Sequence, residues 1–350
     1  MGAEPGLSPG SVIGGIYKIR RRIGQGGMGE VYAAEGRNGV KVALKVLHER
    51  AAQDPDLVAR FNREANIAKE VKSPYVAAIL GAGKERDGRL WIAFERLVGE
   101  GLDERLRREQ YLSFAELAPI VEDALQGLHA AHAAHVVHRD IKPANLFIEK
   151  RNLSEEDVAN GEHEERTRIL DFGVSKMKAG AARRSEPSLT AFDATLGSFA
   201  YMAPEQVRGS ARVDERADLY ALGAVAFRSL SGRLPFEGSN ALTLIALKLD
   251  RDPPTLAQAT ADMWPATIER FLAKIMSRER EKRFSTALEA LDAWRKVCRV
   301  MGNDPGAREG PPTALPPPRN EDRTAEVTAA GTYTDVGSGP LSITPPPRRR

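Results

Sequence analysis

The sequence predicts an α+β fold: a small antiparallel β-sheet carrying one main helix, followed by a larger, mostly helical part. Three observations lead there. Short β-prone runs punctuated by glycines recur between about Tyr17 and Leu97. A single stretch of helical periodicity interrupts them. From about Gly101 onward, one segment after another carries its apolar residues at helical spacing.

Taken in order, "YKIRRRI", "GEVYAAEG" and "VALKVLH" read as three short strands bounded by glycine. Asn38-Gly39 predicts a type I′ hairpin between the second and third, because both central residues of that turn need positive φ. Asp87-Gly88 does the same between "AAILGAGKE" and "RLWIAFERL". In the intervening "DPDLVARFNREANIAKEV", Leu57, Phe61, Ala65 and Ala68 share one helical face. Beyond Gly101, "FAELAPIVEDALQGLHAAHAA" is a long amphipathic helix. "ADLYALGAVAFRSLSG", "NALTLIALKL", "TIERFLAKIMS" and "ALEALDAWRKVCRVM" are further helices, the first stopped by Gly232 with Pro235 behind it. Three stretches stand apart. Residues 1–16 are rich in Gly, Pro and Ser and are expected to be flexible. Residues 149–168 are polar and acidic, and are expected to form an exposed insertion. Residues 302–350 hold ten of the 22 prolines and a single aromatic, Tyr333. That is too little apolar surface to offset chain entropy, so a disordered tail is expected.

The 350 residues suffice for two parts sharing a real core, and a net charge of +3 gives no reason to expect nucleic acid as a partner. The lone Cys298 permits no internal disulfide, which suits a reducing, cytoplasmic setting. No apolar run is long enough to span a bilayer. The first residues fit neither a secretory signal nor a myristoylation signal. The closing "PPPRRR" reads equally as a free basic tail or as the cytoplasmic edge of a longer membrane-bound product.

Four stretches carry chemistry. In "IGQGGMGEVY", Gly24, Gly26 and Gly29 form G-x-G-x-x-G. A dinucleotide-binding loop would open a helix, whereas here a strand follows. The glycines therefore bend a β-hairpin, either over a phosphate, over another ligand, or as a plain structural turn. Lys45 lies on the third strand among apolar neighbours, and a buried ammonium needs an anion; Glu64 is the best candidate and Glu70 a weaker one. In "VVHRDIKPANLF", Asp140 can accept a proton, Lys142 can offset phosphoryl charge, and Asn145 offers an amide oxygen. In "ILDFGVSK", Asp171 adds a carboxylate at the end of an apolar run. An amide oxygen and a carboxylate together suit Mg²⁺, a cation that takes oxygen ligands.

In this order, with "APE" at Ala203 to Glu205, the set resembles the eukaryotic-type protein kinases over roughly Tyr17 to Met301. The bacterial Ser/Thr branch is the most similar. The resemblance implies a two-lobed kinase domain over 17–301, with an N-lobe to about 97 and a C-lobe from about 98. It implies a Ser/Thr protein kinase that moves the γ-phosphate of ATP with Mg²⁺, Mn²⁺ being the alternative metal. Asp140 would be the catalytic base, Lys142 the γ-phosphate contact, and Asn145 and Asp171 the metal ligands. Lys45 would hold the α- and β-phosphates and pair with Glu64. Ile23, Gly24, Gly26, Gly27 and Gly29 would cover the nucleotide. Val31, Ala43 and Leu146 would sandwich its base. Phe94 would be the gatekeeper, and the backbones of Glu95 and Leu97 would meet adenine. Asp218 would brace the catalytic loop, and Glu205 would pair with Arg283.

Further expectations follow from that resemblance. Partners would be proteins offering Ser or Thr. Tail residues such as Thr313, Thr324, Thr328 and Thr332 would either recruit phosphothreonine-reading domains or lie in a passive linker. Activation would involve autophosphorylation among Ser188, Thr190 and Thr195, read by Arg139 and served by a dimer; the alternative is that these are ordinary loop hydroxyls. Gly197-Ser198 stands where the family usually has Gly-Thr, which keeps the hydroxyl. The insertion before Asp171 is longer than usual. The row His129, His132, His135 and His138 steps by three and drifts round a helix. His138 is therefore read as a packing residue and the others as helix surface, not as a metal site. A pseudokinase scaffold is the main alternative, and such proteins usually lose a core Lys, Asp or Gly that this chain keeps. A small-molecule phosphotransferase is disfavoured by the "APE" segment.

Overall fold

The computed structural model describes residues 6–26, 29–47, 58, 61, 65, 68–151, 164–171, 199–209, 213–238 and 240–302. Six strands form one antiparallel sheet: β1 (Val12–Ile13), β2 (Tyr17–Gly26), β3 (Gly29–Glu35), β4 (Lys41–Leu47), β5 (Ile79–Lys84) and β6 (Leu90–Glu95). Their spatial order is β1-β2-β3-β4-β6-β5. Period-2 alternation separates the faces of β4. Val42, Leu44 and Val46 pack with Tyr17, Ile19, Tyr32 and Trp91. Leu47 and Ala43 turn to the other side, against Phe61, Ala65, Ile92 and Phe94. Val58, Phe61, Ala65 and Ala68 are helical, at the spacing of a single face.

Both hairpins form, with a different turn from the one expected. Strands β3 and β4 end at Glu35↔Lys41, leaving five residues between them. Arg37–Gly39 make a 3₁₀ turn, Gly36 N donates to Val40 O (2.8 Å), and Gly39 takes φ 77°. In the second hairpin Glu85 N donates to Arg89 O (2.8 Å) and Gly88 takes φ 94°. In each loop one glycine alone supplies the left-handed residue, as longer hairpin loops built on a local turn do. The stretch expected to be loose also contributes. Strand β1 pairs Ile13 with Tyr17, and Ile13 is buried, because its apolar side chain closes one end of the sheet's core.

The second part is built around α2 (Phe114–Ala133) and α4 (Arg216–Ser231), joined by α1 (Leu102–Glu109), α3 (Pro204–Val207), α5 (Ala241–Asp250), α6 (Leu256–Thr260), α7 (Ala266–Ile275) and α8 (Ala287–Gly302). Helix α2 starts on a capping box: Ser113 Oγ accepts from Glu116 N, and Ser113 N donates to Glu116 Oε2 (2.8 Å). It ends in a Schellman motif, with Val136 N donating to Ala131 O (2.9 Å) and His135 N to His132 O (2.9 Å). His135 occupies the left-handed position that glycine usually takes, at φ 57°. Gly232 closes α4 at φ 71°.

A second sheet, β7 (Gly99–Gly101), β8 (Leu146–Lys150) and β9 (Glu165–Ile169), lies at the junction of the two parts. The polar stretch 149–168 is therefore not all insertion. Residues 149–150 and 165–168 are strand, and their charges are paired: Arg168 Nη1 with Glu149 Oε2 (2.9 Å), and Arg105 Nη2 with Glu165 Oε1 (2.7 Å). Residues 152–163 lie outside the described set.

Trp294 anchors α8 to this core. It is fully buried between Phe114 (5.5 Å between ring centres) and Phe271 (5.0 Å), and its Nε1 donates to Ala118 O (3.0 Å). Trp294→Ala should lower the unfolding free energy by about 3–5 kcal/mol. Urea denaturation checks this, and a loss under about 1 kcal/mol would mean that the site collapses around the change.

Candidate active site

The site begins with β2, which runs through Gly26 and returns as β3 from Gly29, the two glycines being cross-strand partners. The G-x-G-x-x-G stretch is thus a hairpin. Its third glycine has a packing reason: a Cβ on Gly29 would lie 2.1 Å from Val46 O. Gly27 lies outside the described residues. Register then places Val31 opposite Lys45, Ala43 opposite Phe94 and Lys45 opposite Ile92. Ile23, Val31 and Ala43 are half-buried, and Leu146 is fully buried at the start of β8. Strand β6 stops at Glu95, and Leu97 belongs to the short link into β7.

Lys45 reaches across the junction. Its Nζ lies 2.6 Å from Asp171 Oδ2, joining the first sheet to the residue that follows β9 by two positions. Glu64, expected as its partner, lies outside the described residues, as do Phe172, Gly173, Ser188, Thr190, Thr195 and Ser198. Asp171 sits at φ 58°. Aspartate tolerates this left-handed conformation better than most residues.

Asp140, Lys142 and Asn145 converge as well. Lys142 Nζ donates to Asp140 Oδ2 (3.1 Å), and Asn145 Nδ2 donates to Asp140 O (2.7 Å). Asn145 Nδ2 also lies 3.4 Å from Asp140 Oδ2. Pro143 opens the 3₁₀ turn Pro143–Asn145 that spaces them. With its amide N–H₂ turned to Asp140, Asn145 presents its oxygen end elsewhere. That oxygen and the Asp171 carboxylate are hard donors, and they fit a divalent cation of the Mg²⁺ type.

The loop is held from beneath by Asp218, which has 0% exposure. Its Oδ2 accepts from His138 N (2.8 Å) and its Oδ1 from Arg139 N (2.6 Å). His132 Nε2 lies 2.9 Å from Oδ2. Burial alone would raise the Asp218 carboxyl. The His132 hydrogen bond and charge and the Arg139 amide together hold it below its ordinary 3.8. His132 is thus not a helix-surface residue: its side chain is 10% exposed and faces Asp218 from the last turn of α2. Helical phase alone could not show this, because its partner lies 86 residues on. His138 acts as the expected packing residue. Asp140 N donates to its Nδ1 (3.2 Å), so Nε2 carries the proton and donates to Leu170 O (2.8 Å).

Two further residues emerge from the structure. Arg168 is buried and donates to Val76 O (3.0 Å), to Glu149 and to Glu95. Glu95 also accepts from Ala78 N (2.7 Å), so its carboxylate ties the end of β6 to β9. Gln206 donates to Arg139 O (2.9 Å), while its Oε1 accepts from Ala203 N (2.9 Å). Glu205 and Arg283 form the expected pair, bidentate at 2.8 and 2.9 Å and buried.

A two-lobed architecture with its catalytic loop and metal-type donors at the junction is that of the protein kinases. The family described as "Protein kinase domain" matches residues 17–294, and the chain belongs to it. Among curated proteins it is 36% identical over 296 residues to serine/threonine-protein kinase pkn3 of Myxococcus xanthus, covering 82% of this chain and 52% of that protein. It is 33% identical over 333 residues to PknF of Mycobacterium tuberculosis, covering 93% of this chain and 65% of that protein. The chain thus spans about half to two thirds of these relatives' lengths. Among solved structures, the PknI kinase domain of Mycobacterium tuberculosis superposes with a TM-score of 0.62 at 27% identity, covering 83% of this chain and 99% of that one.

Asp218→Asn would set an amide N–H₂ against backbone N–H groups. It should cost at least about 1.5–3 kcal/mol, the worth of one hydrogen bond to a charged group. Because the folded carboxyl lies below its ordinary 3.8, it stabilises the fold above that pH, and the contribution fades as pH falls through the lower folded value. Acid unfolding followed by circular dichroism should therefore be shallower in the variant. Superimposable acid limbs would count against the role given to Asp218.

Proposed function

We propose that this chain is a Ser/Thr protein kinase that transfers the γ-phosphate of ATP to protein hydroxyls and phosphorylates its own activation segment. The observation that carries the reading is the meeting of Lys142 and Asn145 on Asp140, with Lys45 held against Asp171 across the junction. Ile23, Val31, Ala43 and Leu146 line the apolar slot for adenine, and the backbones of Glu95 and Leu97 offer its polar edge a partner. Asp140 orients an acceptor hydroxyl and receives its proton. The hydroxyl oxygen forms a bond to the γ-phosphorus as the bond to the β–γ bridging oxygen breaks, and ADP leaves. Lys142 offsets charge on the moving phosphoryl group, and Lys45 holds the α- and β-phosphates. A divalent metal on Asn145 and Asp171, Mg²⁺ or Mn²⁺, would draw off phosphate charge when bound. In this reaction class catalysis rests on positioning and charge stabilisation, the two things this residue set supplies.

Arg139 supports the regulatory half of the reading. It sits beside the base at φ 66°, and its Nε is buried with no partner among the described residues. A phosphate on Thr190 or Thr195 would satisfy that donor and order the segment. Proteins offering Ser or Thr are the substrates under this reading. Tail phosphothreonines would recruit reading domains, and a transient dimer would serve autophosphorylation.

Asp140→Asn should lower transfer by roughly 10²–10⁴-fold while leaving nucleotide affinity within about twofold. The check is γ-phosphate transfer from Mg-ATP to the chain itself and to a generic basic protein, beside nucleotide binding by calorimetry. Unchanged turnover in the variant would remove Asp140 from the base role. Absence of both transfer and nucleotide binding in the natural chain would overturn the kinase reading.

A further inference from the structure

Lys248 is among the most deeply buried charged side chains described, with 1% exposure, on α5 and far in sequence from every catalytic motif. Its Nζ donates to Ala200 O (2.7 Å) and Met202 O (2.9 Å). It lies over the rings of Tyr220 (5.2 Å) and Phe236 (5.7 Å). The neighbouring charges are Arg283, stacked on the same Tyr220 ring at 4.8 Å, and Glu205, which Arg283 holds. The two carbonyls that bind Lys248 thus belong to the strip entering α3, and their donor is a residue 46 to 48 positions further on.

That strip stands beside the reacting residues. Ala203 N donates to Gln206, and Gln206 donates to the carbonyl of Arg139, the residue before Asp140. The strip is therefore fixed at two points, to the catalytic loop by Gln206 and to α5 by Lys248. Along it Phe199, Tyr201 and Met202 are half-exposed, and Phe199 and Tyr201 pack against the cluster of Ala200, Phe236 and Leu244. A protein chain that brings a hydroxyl to Asp140 must pass this wall. A nucleotide, held between the glycine hairpin and Leu146, need not touch it.

We infer that Lys248 is a positioning residue for the protein acceptor: by holding the Ala200–Met202 strip beside Asp140 it sets affinity for the acceptor and not for the nucleotide. The inference rests on the kinase reading above. Burial, with the charge of Arg283 added, pushes the Lys248 ammonium down to about 7. Either protonation state keeps two N–H groups, enough for both carbonyls, so the anchor holds on both sides of that pH.

Lys248→Met substitutes an unbranched apolar side chain one atom shorter and removes the donors, leaving two carbonyls to seek water. Initial rates with myelin basic protein and Mg-ATP, each varied in turn, should show the acceptor KM raised roughly tenfold, which is what the loss of about 1.4 kcal/mol of hydrogen bonding gives. The ATP KM and kcat should stay within twofold. The melting temperature should fall by no more than a few degrees, because removing a buried charge offsets much of the cost of two unpaired carbonyls. Lys248→Gln, with two N–H donors on a side chain one atom shorter, should lie between the two. An unchanged acceptor KM would overturn the inference, as would an equal rise in both KM values with a lowered melting point. Transfer by the natural chain with an unmoved Lys248→Met sinks the inference alone; no transfer by the natural chain sinks the kinase reading and the inference with it.

Discussion

The carboxylate of Asp218 lies wholly out of water, and its two oxygens receive the amides of His138 and Arg139 and the ring of His132. A buried charge of this kind is tolerable only when hydrogen bonds surround it. Here those bonds come from the backbone immediately before Asp140. The arrangement therefore fixes where Asp140 can be, the base under the kinase reading. It also accounts for Arg139 at φ 66°, a conformation that costs a residue of its type roughly 1–3 kcal/mol and persists only where the surroundings over-determine it. The peptide around Arg139 is pinned on both sides, its N–H by Asp218 and its carbonyl by Gln206.

From that point the rest of the junction follows by short links. Asp140 meets Lys142 and Asn145, and Asn145 O accepts from Leu170 N (2.9 Å). His138 donates to Leu170 O, so the 138–145 loop and the residue before Asp171 are tied in both directions. Asp171 then holds Lys45 on the far sheet. Strand β9 is the common support: Ile169 N donates to Tyr75 O (2.8 Å), Ala77 N donates to Ile169 O (2.9 Å), and Arg168 reaches both Val76 O and Glu95. The two sheets and the link between them share one hydrogen-bonded seam, and the expected nucleotide slot lies along it.

Much of this was legible in the sequence, and the reasons differ by residue. Asp140, Lys142, Asn145 and Asp171 sit in short motifs whose spacing is itself the geometry, so local reading suffices. The strands β2 to β6 are legible because one face of each must be buried. The turn type of the hairpins was not. A dipeptide such as Asn38-Gly39 signals that a turn exists, while strand ends at Glu35 and Lys41 decide its length. Helix α1, the short α3 and α6, and strands β1 and β7 are too brief to show a period. His132, Gln206 and Arg168 carry no local signature, because each acts on a partner dozens of positions away. The charges of 149–168 misled in the same way: pairing across the strands turns a polar stretch into sheet.

Asp218 and Lys248 make a complementary pair of devices, one under the 138–145 loop and the other on the Ala200–Met202 strip. One is a buried carboxylate satisfied by backbone N–H groups; the other is a buried ammonium satisfied by backbone C=O groups. An apolar side chain could fill either space at no desolvation cost, but it would leave the backbone groups it faces without partners. Those groups belong to irregular segments that no helix or sheet ladder completes, so a side chain must complete them. A charge serves this best, since its hydrogen bonds are about twice as strong as neutral ones and it accepts or donates several at once. The cost of burying each charge is thereby converted into a fixed path for an otherwise unsupported stretch of backbone. Under the kinase reading, one such stretch presents the base and the other presents the surface past which an acceptor protein must lie.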